Sequence, residues 1–345
     1  MCPLVPATRG ERILFLDPMT DATAEGHARD VPARGSDYFA LLKPRVMSLV
    51  VFTALTGLIC SGAHVHPLLG AVAVLSIAVG AGASGALNMW YDADIDRLMR
   101  RTRARPVPAG RVQSADALGM GVVLSLLSVM LMGVALNWLA AGLLAFTILF
   151  YAVVYTAWLK RSTPQNIVIG GAAGALPPVI GWAAASGQAP LNAWLLFLII
   201  FLWTPPHSWA LALYTTTDYA KAGVPMMPVA RGAASTRRQI LLYSLLFVPA
   251  AVAPAFTGLG GPVYLAVSAL GGAMFLLLAA RLYLSRSGDI SDAREDGLYG
   301  VKADARPARN LFAFSILYLC LLFAALLGER LSGIAPLKAL IGLNG

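Results

Sequence analysis

The chain has 345 residues, 58% of them hydrophobic and only 12% charged, with a formal net charge of +9. Soluble domains carry roughly 45–50% apolar and about 25% charged residues, so this composition excludes an ordinary soluble domain and describes a polytopic membrane protein. The three cysteines, Cys2, Cys60 and Cys320, are isolated, which excludes a CxxC zinc or redox motif and gives no disulfide framework.

Residues 1–37 are polar and mixed in charge, and no apolar run precedes a small-residue cleavage site. They read as a disordered cytoplasmic tail rather than a signal peptide. Stretches of about 20 apolar residues, the length that crosses a hydrocarbon core, then recur nine times: 46–65, 68–90, 114–136, 139–159, 167–186, 191–214, 240–256, 262–280 and 311–327. The predicted fold class is all-α, one bundle of nine transmembrane helices forming a membrane domain over 38–328. Residues 329–345 follow as a short C-terminal tail, in which 331–343 is too short to span and suits the interface.

Of the 26 Lys and Arg residues, 24 precede the first span or fall in the loops 91–113, 160–166, 215–239 and 281–310. Basic loops stay cytoplasmic, so the N-terminus is expected inside and the C-terminus on the opposite side. Topology accounts for the basic charge, and there is no nucleic-acid motif.

Acids are crowded into one of these basic loops. The stretch NMWYDADIDRLMRRTRARPVPAGR, residues 88–111, follows the second span. Asn88, Asp92 and Asp96 stand at i, i+4 and i+8, on one stripe of a helix, with steps of about 6 Å along the axis. Asp94 falls nearly opposite. Carboxylates this close repel unless a cation joins them, and Mg²⁺ is commonly held by one or two carboxylates plus substrate phosphates. Arg100, Arg101, Arg103 and Arg105 suit phosphate oxygens. A solvated, charge-rich loop is the plain alternative. Acids that continue an apolar span are functional candidates, which favours a Mg²⁺–diphosphate site.

The stretch LWTPPHSWALALYTTTDYAKAGVPMMPV, residues 202–229, closes the sixth span. Pro205 and Pro206 are expected to break the helical ladder just before His207, and Asp218 and Lys221 follow at the charged face. A lone intramembrane His is either a helix-packing partner or a ligand. The small residues of GGAAGALPP, 170–178, suit close helix packing or room for an isoprenoid tail. Trp90, Tyr91, Trp158, Trp203 and Trp209 read as interfacial aromatics, and His64 and His66 as loop residues.

N-x3-D-x3-D on the second helix of a nine-helix membrane protein resembles the intramembrane prenyltransferases of the UbiA superfamily. The segments DRLMRRTRARPVPAGRV, TPPHSWALAL, AGVPMMPV, LKPRVMSLVVFTALTG (42–57) and LKRSTPQNIVIGGAAGALPPVIGWAAASG (159–187) resemble its heme-farnesylating branch, over roughly 38–327. The resemblance implies a UbiA-type bundle in the cell inner membrane. It implies transfer of the farnesyl group of farnesyl diphosphate to a vinyl group of heme b, giving heme O for terminal oxidases. It implies Mg²⁺ on Asp92, Asp96 and Asp218, with Asn88 beside them, and diphosphate contacts from Lys43, Arg45, Arg101, Arg105 and Lys221. His207 is implied to face the heme, whether as iron ligand or by steering the vinyl chemistry. The superfamily's second motif usually has two Asp four apart, whereas position 222 is Ala here; a single acid before Tyr, as in Asp218-Tyr219, resembles the heme branch. Thr215, Thr216 and Thr217 stand where family members often have a basic residue, and Lys221 is the candidate substitute. Heme A synthase is the candidate recipient of the product. The alternatives are a prenyltransferase for another aromatic acceptor, against which TPPH argues, and a transporter, against which the lack of an internal repeat argues.

Overall fold

The computed structural model describes residues 33–289 and 305–340; the expectations for residues 1–32, for Cys2 and for 341–345 lie outside the described residues. Every regular element among the described residues is helical. In chain order, α1 (Gly35–Leu41), which straddles the expected boundary between tail and membrane domain, and α2 (Pro44–Cys60) meet at a bend of 51°. They are followed by α3 (Pro67–Tyr91), α4 (Ala93–Leu98), α5 (Ser114–Ala135) and α6 (Trp138–Leu149), which continues through a π-helical stretch Phe150–Leu159 into α7 (Lys160–Ser162). The fifth span is α8 (Asn166–Ala175) with α9 (Pro177–Ser186). Then come α10 (Leu191–Tyr214), α11 (Thr216–Lys221), α12 (Met227–Val252), α13 (Pro262–Leu284), α14 (Arg306–Leu331) and α15 (Leu337–Leu340). Among the described residues, eight spans are long and apolar enough to cross a membrane, nine when the bent pair α1–α2 counts as one.

Three expectations about the spans are corrected. The first span ends at Cys60 rather than 65, because Gly62 takes a left-handed turn (φ 71°) out of the helix. The seventh, α12, begins at Met227 rather than 240 but is kinked at Gly232, whose φ of 79° and ψ of 164° are non-helical. Pro228 occupies the first turn of the leading piece, where its missing N–H costs nothing, and the Thr236 hydroxyl donates to the Gly232 carbonyl at 2.8 Å where the longer piece starts. Hydropathy registers only the apolar part of that helix. The sixth span is not broken at Pro205 and Pro206; α10 runs through them. Intramembrane Pro is tolerated where Ser/Thr hydroxyls and neighbouring helices satisfy the freed backbone groups. The carbonyls freed by the two prolines are those of Phe201 and Leu202. Just before them the Thr204 hydroxyl donates to the Ile200 carbonyl at 2.8 Å, and Gly171 of α8 lets that side chain approach closely.

The bundle closes around α9, in which Pro177 to Ala184 are all buried. A Cβ on Gly57 of α2 would overlap the Pro178 carbonyl oxygen, and one on Gly181 of α9 would overlap that of Ala54. The two backbones therefore touch, as small residues permit between membrane helices. On one side α3 packs against α5; on the other α10 packs against α8, α12 and α14, and α14 returns to α2. Trp203 and Trp209 are buried in this core rather than interfacial, whereas Trp158 faces outward. His66 caps α3, its Nδ1 accepting from Leu68 N at 3.2 Å.

Candidate active site

The acidic stripe survives a helix junction. α3 ends at Tyr91 and Asp92 turns the chain (φ −88°, ψ 7°), yet Asp92 N bonds Asn88 O and Asp96 N bonds Asp92 O, each at 2.9 Å. The i, i+4 geometry therefore continues into α4, and Asn88, Asp92 and Asp96 are all buried. Asp94 points off the stripe, its side chain 62% exposed, and pairs with Arg161 through two bonds of 2.7 and 2.8 Å. That hydrogen-bonded guanidinium holds the Asp94 carboxyl below its usual pKa.

Cations surround the stripe. Lys43 Nζ donates to Asn88 Oδ1 at 2.6 Å, Lys160 Nζ to Asp92 Oδ2 at 2.5 Å, and Arg105 Nη1 to Asp96 Oδ2 at 2.6 Å. Asn88 Nδ2 donates to Asp92 Oδ2 at 2.6 Å and to Thr156 Oγ1 at 3.1 Å. Lys43 is the only non-glycine residue with positive φ (51°) among those described. Such conformations persist where surrounding structure holds them, often at functional sites. Here the α1–α2 corner lies against Gly85 of α3, where an added Cβ would crowd the Leu41 carbonyl and the Lys43 side chain.

One atom is left over. Asp92 Oδ1 is buried without a hydrogen-bond partner, and the guanidinium of Arg161 stands 3.7 Å away, outside hydrogen-bonding distance. A buried carboxylate oxygen without a partner is costly, and it fits a hard cation that prefers oxygen donors. No three His, Cys, Asp or Glu side chains among the described residues form a metal cage by themselves. A Mg²⁺ completed by phosphate oxygens and water does not need one.

The second motif meets the first through apolar contact. Tyr219 and Ala222, at α11, cluster with Ile95 and Met99, at α4. Asp218 is half-buried, and Tyr219 lies within electrostatic range of Asp218, Asp96, Arg101 and Arg105. Burial raises the Tyr219 pKa against the opposing pull of those two arginines. Lys221 is exposed.

Below the polar cluster lies a cavity of about 640 Å³. Its walls include Arg45 and Phe52 of α2, Tyr151 and Tyr155 of the π-helical stretch, Gly174 of α8 and His207 of α10. π-helical turns are frequent at functional sites. This one turns Thr156 toward Asn88 while Tyr151 and Tyr155, both within electrostatic range of Asp92, line the cavity. Gly170 makes room for the Tyr155 ring, and Gly174 leaves open space where a side chain would stand. His207 is stacked between Trp203 and Phe312, with centroids 4.1 and 4.6 Å away.

The structure thus gathers Asn88, Asp92, Asp96, Lys43 and Arg105 into one cluster, borders it with Asp218 and Arg101, and sets Arg45 and His207 on the cavity. Sequence reasoning missed Lys160, Arg161, Thr156 and the two tyrosines. The signal was present in part, since Lys160 and Arg161 are the only basic residues between the fourth and fifth spans.

A helical membrane bundle with a polar, cation-ringed carboxylate stripe above an apolar cavity is a prenyltransferase architecture. Residues 50–295 match the UbiA prenyltransferase family, and the chain belongs to it. Over 89% of its length it is 69% identical to a protoheme IX farnesyltransferase of Caulobacter vibrioides, of which it covers 95%. It is 62% identical to the protein of that name from Maricaulis maris, over 91% of this chain and 95% of the relative. The fold is shared with solved structures at low identity. A digeranylgeranylglyceryl phosphate synthase has a TM-score of 0.68 at 18% identity, covering 86% of this chain and 98% of that one. A UbiA homolog from Archaeoglobus fulgidus bound to GPP and Mg²⁺ has a TM-score of 0.56 at 17% identity, covering 84% and 99%.

Proposed function

We propose that this prenyltransferase moves the farnesyl group of farnesyl diphosphate onto a vinyl carbon of heme b, releasing diphosphate and forming heme O. The observation that carries this is the cavity with two differing walls. Tyr151 and Tyr155, in range of Asp92, form one, and His207 forms another. A prenyl tail whose diphosphate is held at Asp92 therefore reaches an acceptor lying against His207. The relatives named protoheme IX farnesyltransferase support the choice of both substrates.

Asp92 and Asp96, with Asp218 as the third acid, would hold a Mg²⁺ ion, which would supply charge neutralisation for the departing diphosphate. The protein's own cations add to it. Lys43 and Lys160 rest on Asn88 and Asp92 and turn to phosphate oxygens when these arrive, and Arg101, Arg105 and Arg45 extend the same field. Lys221 lies at the rim. As the allylic C–O bond breaks, the apolar walls keep water from the developing cation until the vinyl carbon forms the new C–C bond. Water then adds to the porphyrin-side cation and gives up a proton. In this reading residues 38–328 carry the whole reaction in the cell inner membrane. The charged end and N-terminus face the cytoplasm, the C-terminus lies opposite, and heme O passes to a heme A synthase.

The test is to supply purified protein with farnesyl diphosphate, heme b and Mg²⁺ and to take the mass of the extracted hemes. The expected product is heme b plus one farnesyl group and one hydroxyl group, with diphosphate release that depends on heme and stops on chelation of Mg²⁺. Prenylation of a quinone precursor with heme left unchanged overturns the proposal.

A further inference from the structure

α10 and α14 are joined by a hydrogen-bonded knot that the transfer chemistry above does not use. Ser315 of α14 is fully buried. Its carbonyl accepts from Trp203 Nε1 at 2.8 Å, while its hydroxyl oxygen lies 2.6 Å from the Phe312 carbonyl and 2.7 Å from His207 Nδ1. A carbonyl only accepts, so the single hydroxyl proton goes to Phe312, and toward His207 the same oxygen is an acceptor. Nδ1 must then carry the imidazole proton, which leaves Nε2 with a bare lone pair. The stack between Trp203 and Phe312, with interplanar angles of 16° and 22°, fixes the plane of the ring. His207 itself lines the cavity.

We propose that Ser315 is a positioning residue: it locks His207 in the Nδ1–H tautomer and so presents Nε2 as a ligand to the iron of a metallated tetrapyrrole in the cavity. The proposal rests on heme b being the acceptor. Metal-ligating histidines commonly donate their other N–H to a fixed acceptor, and loss of that partner costs about 10–100-fold in metal affinity. Ser315 supplies that acceptor from a neighbouring helix, 108 residues away in sequence.

The experiment uses the full chain in lipid nanodiscs, titrated with ferric heme and, separately, with iron-free protoporphyrin IX. Ser315→Ala is expected to weaken heme binding by about 10–100-fold and to shift the heme absorption band as His207→Ala does. Affinity for protoporphyrin IX and for farnesyl diphosphate should stay at the wild-type level, and Ser315→Thr, which keeps the hydroxyl, should restore the heme spectrum. Nitrogen-15 shifts of labelled wild-type protein, with His207→Ala identifying one signal among the four histidines, are expected to report a neutral imidazole protonated at Nδ1. Protonation at Nε2 in wild type, or an unchanged heme spectrum and affinity in Ser315→Ala, overturns the proposal. If wild type binds neither porphyrin, the acceptor itself has been misassigned, a result separate from any effect of Ser315.

Discussion

The three aspartates of the α3–α4 junction are expected to divide sharply when each is replaced by Asn. Asp92 is fully buried and is held by Lys160 at 2.5 Å and by Asn88 at 2.6 Å. Asp96 is as deeply buried and pairs with Arg105 at 2.6 Å. Removing one member of a buried charge pair costs about 3–5 kcal/mol. If that charge acts mainly on the metal-bound leaving group, the rate falls by about 10²–10⁴-fold, at 1.36 kcal/mol per factor of ten. Asp94 has the same chemistry and the same helix, but its side chain is 62% exposed. An exposed pair contributes about 0.2–1 kcal/mol, so Asp94→Asn should lower turnover by at most about fivefold. The assay is heme O formation by each purified variant, with a thermal melt alongside to show that all three remain folded. Equal losses in the three variants, or a larger loss for Asp94→Asn than for Asp92→Asn, would refute the reasoning that the stripe, and not acidity in general, forms the site.

Lys160→Met should weaken Mg²⁺–farnesyl diphosphate binding by about 10–150-fold, the equivalent of one lost charged hydrogen bond of about 1.5–3 kcal/mol; unchanged affinity by calorimetry would reduce Lys160 to a counterion of Asp92. Gly181→Ala forces a methyl into the Ala54 carbonyl and should cost about 1–3 kcal/mol as overpacking does, visible as a lower melting temperature in detergent. Glu329 accepts from Gly261 N at 2.6 Å and Tyr264 N at 2.9 Å, capping α13 at the end of the bundle away from the stripe. Glu329→Gln should lose about 1–3 kcal/mol of stability with little change in turnover per folded molecule, as paired melts and rates would show. Cysteines introduced at Arg101 and His64 should react with impermeant reagents from opposite faces of the membrane, and labelling of both from one face would contradict the assigned topology.

The sequence alone determined the membrane class, the count of spans and the acidic stripe. These properties are local: transfer into hydrocarbon sums over about 20 neighbouring residues, and i, i+4 spacing places side chains on one face wherever a helix forms. The motifs around Asp92, His207 and Asp218 carried the family for the same reason. Tertiary structure decided what local pattern does not encode. Helix ends at Cys60 and Met227, and the passage of α10 through Pro205 and Pro206, depend on hydrogen bonds and neighbours that hydropathy does not register. Trp203 and Trp209 look interfacial in sequence and are buried because other helices cover them. Lys160 meets Asp92 across 68 residues, and Ser315 meets His207 across 108. Such pairs form only after the bundle has packed, because long-range contacts follow from how the helices are arranged in space and not from spacing along the chain.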